Sequence, residues 1–182
     1  MAFPVFFDTC AIYGAGLADL LLTLAEKETY RPLWSADVFE ELRRNLVDAG
    51  IEPEAVDRRL RFMASAFPDA MVEGYEDLIP KMGCDEKDRH VLAAAIRGGA
   101  SIVVTFNIKH FPTAALEPYG IQAVHPDDFL LDQLDLYPVA VLDAVDEVPG
   151  AYENPPVTIR EFLNLLARSS VPRFASTVAP LL

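Results

Sequence analysis

Two short runs, Phe3-Pro4-Val5-Phe6-Phe7 and Ile102-Val103-Val104-Thr105-Phe106, constrain this chain more than any other feature. Both read as strands. The second is a continuous apolar segment, as a strand covered on both faces requires. Around them strand-like and helix-like patterns alternate, an order of elements that specifies a parallel, doubly wound sheet. The fold class expected is therefore α/β.

The intervening segments fit that frame. Leu17, Leu20, Leu21 and Leu24 recur at helical spacing. Arg31-Pro32-Leu33-Trp34 reads as a short strand. Ser35 then caps a helix to about Val47, with Val38, Phe39, Leu42 and Leu46 on one face. Gly50 stops it and Pro53 opens a helix over residues 53–67. Met71-Val72 forms a further short strand, Asp85 starts a helix stopped by Gly98-Gly99, and Ile121 to Val124 is another strand. The tail is helical: Asp127 to Leu136, then Pro138 to about Val145. Val148 to Val157, with three prolines and Gly150, is expected to be a loop. Thr158-Ile159-Arg160-Glu161 matches a capping box that opens a last helix. The expected division is a domain over residues 1–130 and an extension over 131–182.

Chemistry is expected at the strand ends, because ligands of parallel sheets bind outside the carboxyl ends of the strands. Asp8 ends the first run and Asn107 the second. Glu41 lies on the helix capped by Ser35, and Asp88 in the first turn of the helix that Asp85 starts. Carboxylates gathered without a Cys or His shell suit a hard divalent cation such as Mg²⁺ or Mn²⁺. That points to metal-assisted phosphodiester chemistry. Each residue also has a structural reading. Asp8 could cap the turn after its strand, and Asp85 and Asp88 could form an acidic cap. Asn107 could be a turn residue, and Thr9 either caps or contacts a phosphate. Glu41 neighbours Glu40, but it lies three residues from Val38, which places it nearer the buried face. Cys10 reads as a small packed residue.

Four segments together carry a resemblance. They are Phe7-Asp8-Thr9; Ser35 through Leu42, with Glu41 six residues after the serine; Asp88 through Ala95; and Thr105-Phe106-Asn107 followed by Phe111. Their order and context resemble the PIN-domain ribonucleases over residues 3 to about 130, and within them the VapC-type toxins of bacterial toxin–antitoxin pairs. The resemblance implies a PIN-like α/β/α sandwich with a central parallel sheet, plus a C-terminal helical extension. It implies Mg²⁺ or Mn²⁺ held by Asp8, Glu41 and Asp88, Asn107 as a fourth site residue, and hydrolysis of RNA. Asp85 and Thr9 are secondary site candidates. The implied partners are an RNA such as tRNA or another structured RNA, a cognate antitoxin, and a second copy in a homodimer. His110 departs from the family pattern, which often has an aspartate just before the phenylalanine that is here Phe111.

Two alternatives stand beside this reading. An aspartate-nucleophile phosphatase also places Asp after a first strand, but wants a second aspartate two positions on, where Cys10 stands. A PIN-like scaffold that binds RNA or a partner without a full metal site would explain His110.

The net charge of −13 opposes broad phosphate binding and favours a basic partner. Arg43, Arg44, Arg58, Arg59 and Arg61 form either a solvated helix face or an RNA-binding stripe. No apolar run approaches the roughly 18 residues of a membrane span. The expectation is a reduced, cytoplasmic protein without a secretory leader, and two cysteines that form neither a disulfide framework nor a zinc site.

Overall fold

The computed structural model describes residues 2–169 and 171–182. Its centre is a five-stranded parallel sheet: β1 (Pro4–Phe7), β2 (Arg31–Ser35), β3 (Met71–Val72), β4 (Ile102–Val104) and β5 (Gln122–Val124), in the order β3-β2-β1-β4-β5. The chain moves outward from β1 to β2 and β3, then crosses back to place β4 on the other side of β1. The direction of winding thus reverses between β1 and β4, where an open α/β sheet forms its ligand crevice. Phe6 pairs with Val103 and Phe7 with Val104. Val5, Phe6, Val103 and Val104 are completely buried, so both central strands are covered on both faces.

The helices covering the sheet are α1 (Ala15–Glu26), α2 (Ala36–Asp48), α3 (Pro53–Ala66), α4 (Arg89–Arg97) and the short α5 (Thr113–Leu116). The result is an α/β/α sandwich. Ser35 caps α2, its hydroxyl accepting from the Val38 amide at 3.3 Å. α4 lies on β1, β2, β3 and β4. Its end requires glycine twice. A Cβ on Gly98 would come 2.8 Å from Val72 Cγ2 and 2.9 Å from Leu33 Cδ1, and Gly99 takes φ +67°. The helix expected to begin at Asp85 is instead a 3₁₀ turn, Glu86–Asp88, that leads into α4. Asp85 caps this turn by accepting from the Lys87 amide, which tightens it to three residues per turn.

Beyond the sheet lie α6 (Pro126–Leu136), α7 (Pro138–Gly150), α8 (Ile159–Ser169) and α9 (Pro172–Val178). α7 packs on α1, and α8 on α7, α9 and α1. The capping box forms as expected: Glu161 N–H donates to Thr158 Oγ1 at 3.2 Å, and Thr158 N–H donates to Glu161 Oε2 at 2.9 Å. The loop expected from Val148 begins later, because α7 continues through Pro149. A proline in a final turn forfeits one hydrogen bond near the frayed end, while the buried Val145 and Val148 hold the turn on the core. Asp127 also departs from its sequence appearance as a first-turn acid. It is buried, and its carboxylate accepts from the amides of Arg173 at 3.0 Å and Phe174 at 2.7 Å, capping α9 from a distant helix. Among the described residues no helix is long and apolar enough to cross a membrane.

Candidate active site

Asp8 follows β1 directly, and its amide continues the strand pairing by donating to Val104 O at 3.1 Å. Its carboxylate is buried at the β1–β4 crevice, with a relative exposure of 3%. Oδ2 accepts from the Thr105 hydroxyl at 2.6 Å and from the Cys10 thiol at 3.2 Å. Among the described residues Oδ1 accepts no hydrogen bond. Cys10 Sγ in turn accepts from the Phe106 amide at 3.3 Å and lies 3.8 Å from Asn107 Nδ2. Asn107 N–H donates to Thr105 Oγ1 at 3.0 Å. Asp8 and Asn107 are thereby joined through Cys10 and Thr105. Neither linker was legible as a site residue; Thr105 read as strand interior and Cys10 as packing. Burial, reinforced by the Asp8 charge, pushes the Cys10 thiol up to about 12. It stays protonated and serves as a donor, not a nucleophile.

A 3₁₀ turn, Thr9–Ile12, follows Asp8 and turns Thr9 toward α2. Thr9 Oγ1 donates to Glu41 Oε2 at 2.8 Å, so Thr9 and Glu41 meet across 32 residues. His90 Nε2 stands 3.9 Å from the same Glu41 oxygen. Glu40 is exposed while Glu41 is half-buried, as the helix face predicts.

Asp88 occupies the cap position of α4, yet its side chain caps nothing. Asp85 does the capping, which frees Asp88 to bind His110 Nδ1 through Oδ2 at 2.8 Å. His110 rides on the 3₁₀ turn Ile108–His110 after β4, and its carbonyl accepts from the Asp85 amide at 3.0 Å. One potential ligand atom from each of Asp85, Asp88 and His110 lies within 4.8 Å of the others. His110, read from sequence only as a lost acid, therefore stands inside the cluster. Burial, and next the charge of Asp8, hold the Asp88 carboxyl above the usual carboxylate range. Asp8 and Asp88, 80 positions apart in the chain, are thus close enough to feel each other's charge.

Comparison with known proteins agrees with this geometry. The family model described as PIN domain matches residues 4–109. The chain belongs to the PIN-domain family. A second model, described as VapC50 C-terminal domain, matches residues 126–180 of the extension that follows the PIN domain. The chain is 52% identical over 107 residues to "Putative ribonuclease VapC50" of Mycobacterium tuberculosis (strain ATCC 25618 / H37Rv), a match covering 59% of this chain and 63% of that protein. The match thus spans less than two thirds of the relative's length. No solved structure matches the chain significantly.

The donor set of this PIN domain fits a divalent cation. Asp8, Asp88 and Glu41 offer hard carboxylate oxygens, Asp85, Asp88 and His110 bring ligand atoms within 4.8 Å of one another, and among the described residues Oδ1 of Asp8 accepts no hydrogen bond. A carboxylate such as Asp88, whose proton affinity is raised by burial and by a neighbouring carboxylate, marks a site short of positive charge. Asn107 and Thr9 add neutral oxygens, and His110 adds one imidazole nitrogen, which Mn²⁺ accepts more readily than Mg²⁺ does.

Proposed function

We propose that this PIN-domain chain is a Mg²⁺- or Mn²⁺-dependent endoribonuclease that acts as the toxin of a toxin–antitoxin pair. The observation that carries the reading is the cluster of Asp85, Asp88 and His110, with ligand atoms within 4.8 Å of one another, together with the buried Asp8 at the same sheet edge, whose charge adds to burial in raising the Asp88 carboxyl. Asp8, Asp88 and Glu41 would hold the ion, with Asp85 as an outer acid. When bound, such an ion acidifies a water and neutralises charge developing on a phosphate.

The chain's own residues supply orientation. The Thr105 hydroxyl and Cys10 thiol fix the Asp8 carboxylate, and Thr9 fixes Glu41. His110 fixes Asp88. Asn107, joined to Thr105 and Cys10, would orient a phosphate. Lys87 and Lys109, both exposed and next or nearly next to a site residue in the chain, would meet an RNA backbone. The relative's printed name supports ribonuclease activity, and the family resemblance supports a cytoplasmic protein acting on tRNA or another structured RNA, neutralised by a cognate antitoxin. A −13 chain suits an antitoxin that inserts a basic residue among the acids. The extension over residues 131–182 offers helices to a homodimer.

The phosphatase alternative loses support at Cys10, whose thiol is spent on Asp8 where that chemistry needs a carboxylate. The test is cleavage of a defined RNA by purified protein with Mg²⁺, Mn²⁺ or chelator. Asp8→Asn and Asp88→Asn should each abolish cleavage, and persistent cleavage in both would overturn the assignment.

A further inference from the structure

Arg59 belongs to an arginine cluster that the sequence presents as either a solvated face or an RNA stripe. It serves neither role. The guanidinium of this half-buried α3 residue forks onto two carbonyls, Nη2 donating to Ile12 O at 2.6 Å and Nη1 to Tyr13 O at 3.2 Å. These carbonyls end the 3₁₀ turn that carries Thr9 and Cys10, and carbonyls at a helix end attract cations. α2 and α3 form a hairpin, and both of its helices grip this turn: α2 through Glu41 on Thr9, α3 through Arg59 on Ile12 and Tyr13.

Asp19 on α1 stabilises the guanidinium electrostatically, opposing the burial that disfavours its charge. Asp19 is itself held by the Tyr152 hydroxyl, from the segment after α7. Tyr152 thus bonds Asp19 and Arg59 bonds the Ile12 and Tyr13 carbonyls, while Asp19 and Arg59 are coupled through charge alone, a route from the extension to the turn that begins at Asp8.

We propose that Arg59 is a positioning residue for the Asp8–Thr9–Cys10 segment, and that the C-terminal extension supports the site through Tyr152 and Asp19. The inference rests on the nuclease reading for its catalytic consequence, while its structural consequence can be measured without catalysis. Lysine at position 59 keeps the charge near Asp19 but lacks the planar fork that spans both carbonyls. A segment displaced by about 1 Å costs up to roughly 100-fold in rate.

The experiment uses full-length protein and three variants, Arg59→Lys, Arg59→Met and Tyr152→Phe. Hydrogen exchange is read at the Ala11 amide, which donates to Asp8 O within the turn. Mn²⁺ affinity is read by calorimetry without RNA, and kcat and KM on a defined RNA. Arg59→Lys should speed exchange at Ala11, weaken Mn²⁺ binding severalfold and lower kcat by roughly 10-fold with KM nearly constant. Tyr152→Phe should act in the same direction more weakly. Should Arg59→Met fail to fold, the other two variants decide. Unchanged exchange at Ala11, or faster exchange with Mn²⁺ affinity and kcat of wild type, overturns the proposal. Wild-type protein that neither binds Mn²⁺ nor cuts RNA overturns the nuclease reading instead, a failure visible before any variant is made.

Discussion

The hydroxyl of Thr105 donates to Oδ2 of Asp8 at 2.6 Å, joining residues 97 positions apart where the sheet reverses its winding between β1 and β4. Both residues are buried, so this is a charge-assisted bond in a dry setting, stronger than a neutral one. Thr105→Val keeps the shape and removes the donor. The expected cost is about 2 kcal/mol, or roughly 4–8 °C in Tm for a chain of this size. Thermal unfolding of the metal-free protein checks it, and a Tm within 1 °C of wild type, as a rough limit, would show the bond to be idle.

The Asp88 carboxyl carries the pH prediction. Its proton affinity is raised by burial and by Asp8, so the folded protein holds that proton to higher pH than the unfolded chain does. Stability from this group is fully present below the unfolded carboxylate range and is lost as pH rises through the raised folded value. Metal-free Asp88→Asn should therefore gain Tm relative to wild type as pH rises from 4 towards 7, on the carboxylate scale. Mn²⁺ binding by wild type should weaken in the opposite direction, as protons reclaim Asp88. A Tm difference independent of pH would contradict both statements.

His110→Asp replaces the imidazole beside Asp88 with a fourth acid. Hard oxygen donors favour Mg²⁺, whereas an imidazole favours later divalent ions. The variant should bind Mg²⁺ more tightly and narrow the gap between Mn²⁺ and Mg²⁺ affinities. Parallel calorimetric titrations with the two ions measure that gap, and an unchanged ratio would remove His110 from the ion's surroundings.

Cys10, with its thiol pushed up to about 12, should resist alkylation at pH 8 in the folded protein. Cys84 is buried and shifted in the same direction, so it should be protected too. Both thiols should react on unfolding in denaturant. Mass spectrometry after a timed iodoacetamide pulse reads this directly; rapid labelling of Cys10 in the native protein would show that Asp8 and Thr105 do not hold it.

How much of this was legible in the chain depends on the range of the interaction. The parallel sheet, the Ser35 cap and the Thr158–Glu161 box all follow from neighbours within a few residues, and all appear where the pattern placed them. Helix face was enough to prefer Glu41 over Glu40. Local pattern failed where a distant group intervened. Asp127 reads as an ordinary first-turn acid, but it caps α9, 46 residues away. Arg59 reads as surface charge, but it holds the turn beyond Asp8.

The acidic quartet shows the same division. Sequence by itself determined that Asp8 follows a strand and that Glu41 lies on a helix, whereas Asn107, expected to end the second strand, stands three residues beyond β4 at the cap of a 3₁₀ turn, and the expectation of carboxylates without a Cys or His shell gave way to Cys10 beside Asp8 and His110 beside Asp88. Tertiary structure alone decided their company: Asp8 with Thr105 and Cys10, Thr9 with Glu41, and Asp88 with His110. The reason is physical. Strand and helix formation are set by short-range sterics and by the period of apolar residues. Which side chains then share a crevice is set by strand order, and one crossover from β3 back to β4 brings together groups that nothing nearby in the chain could pair.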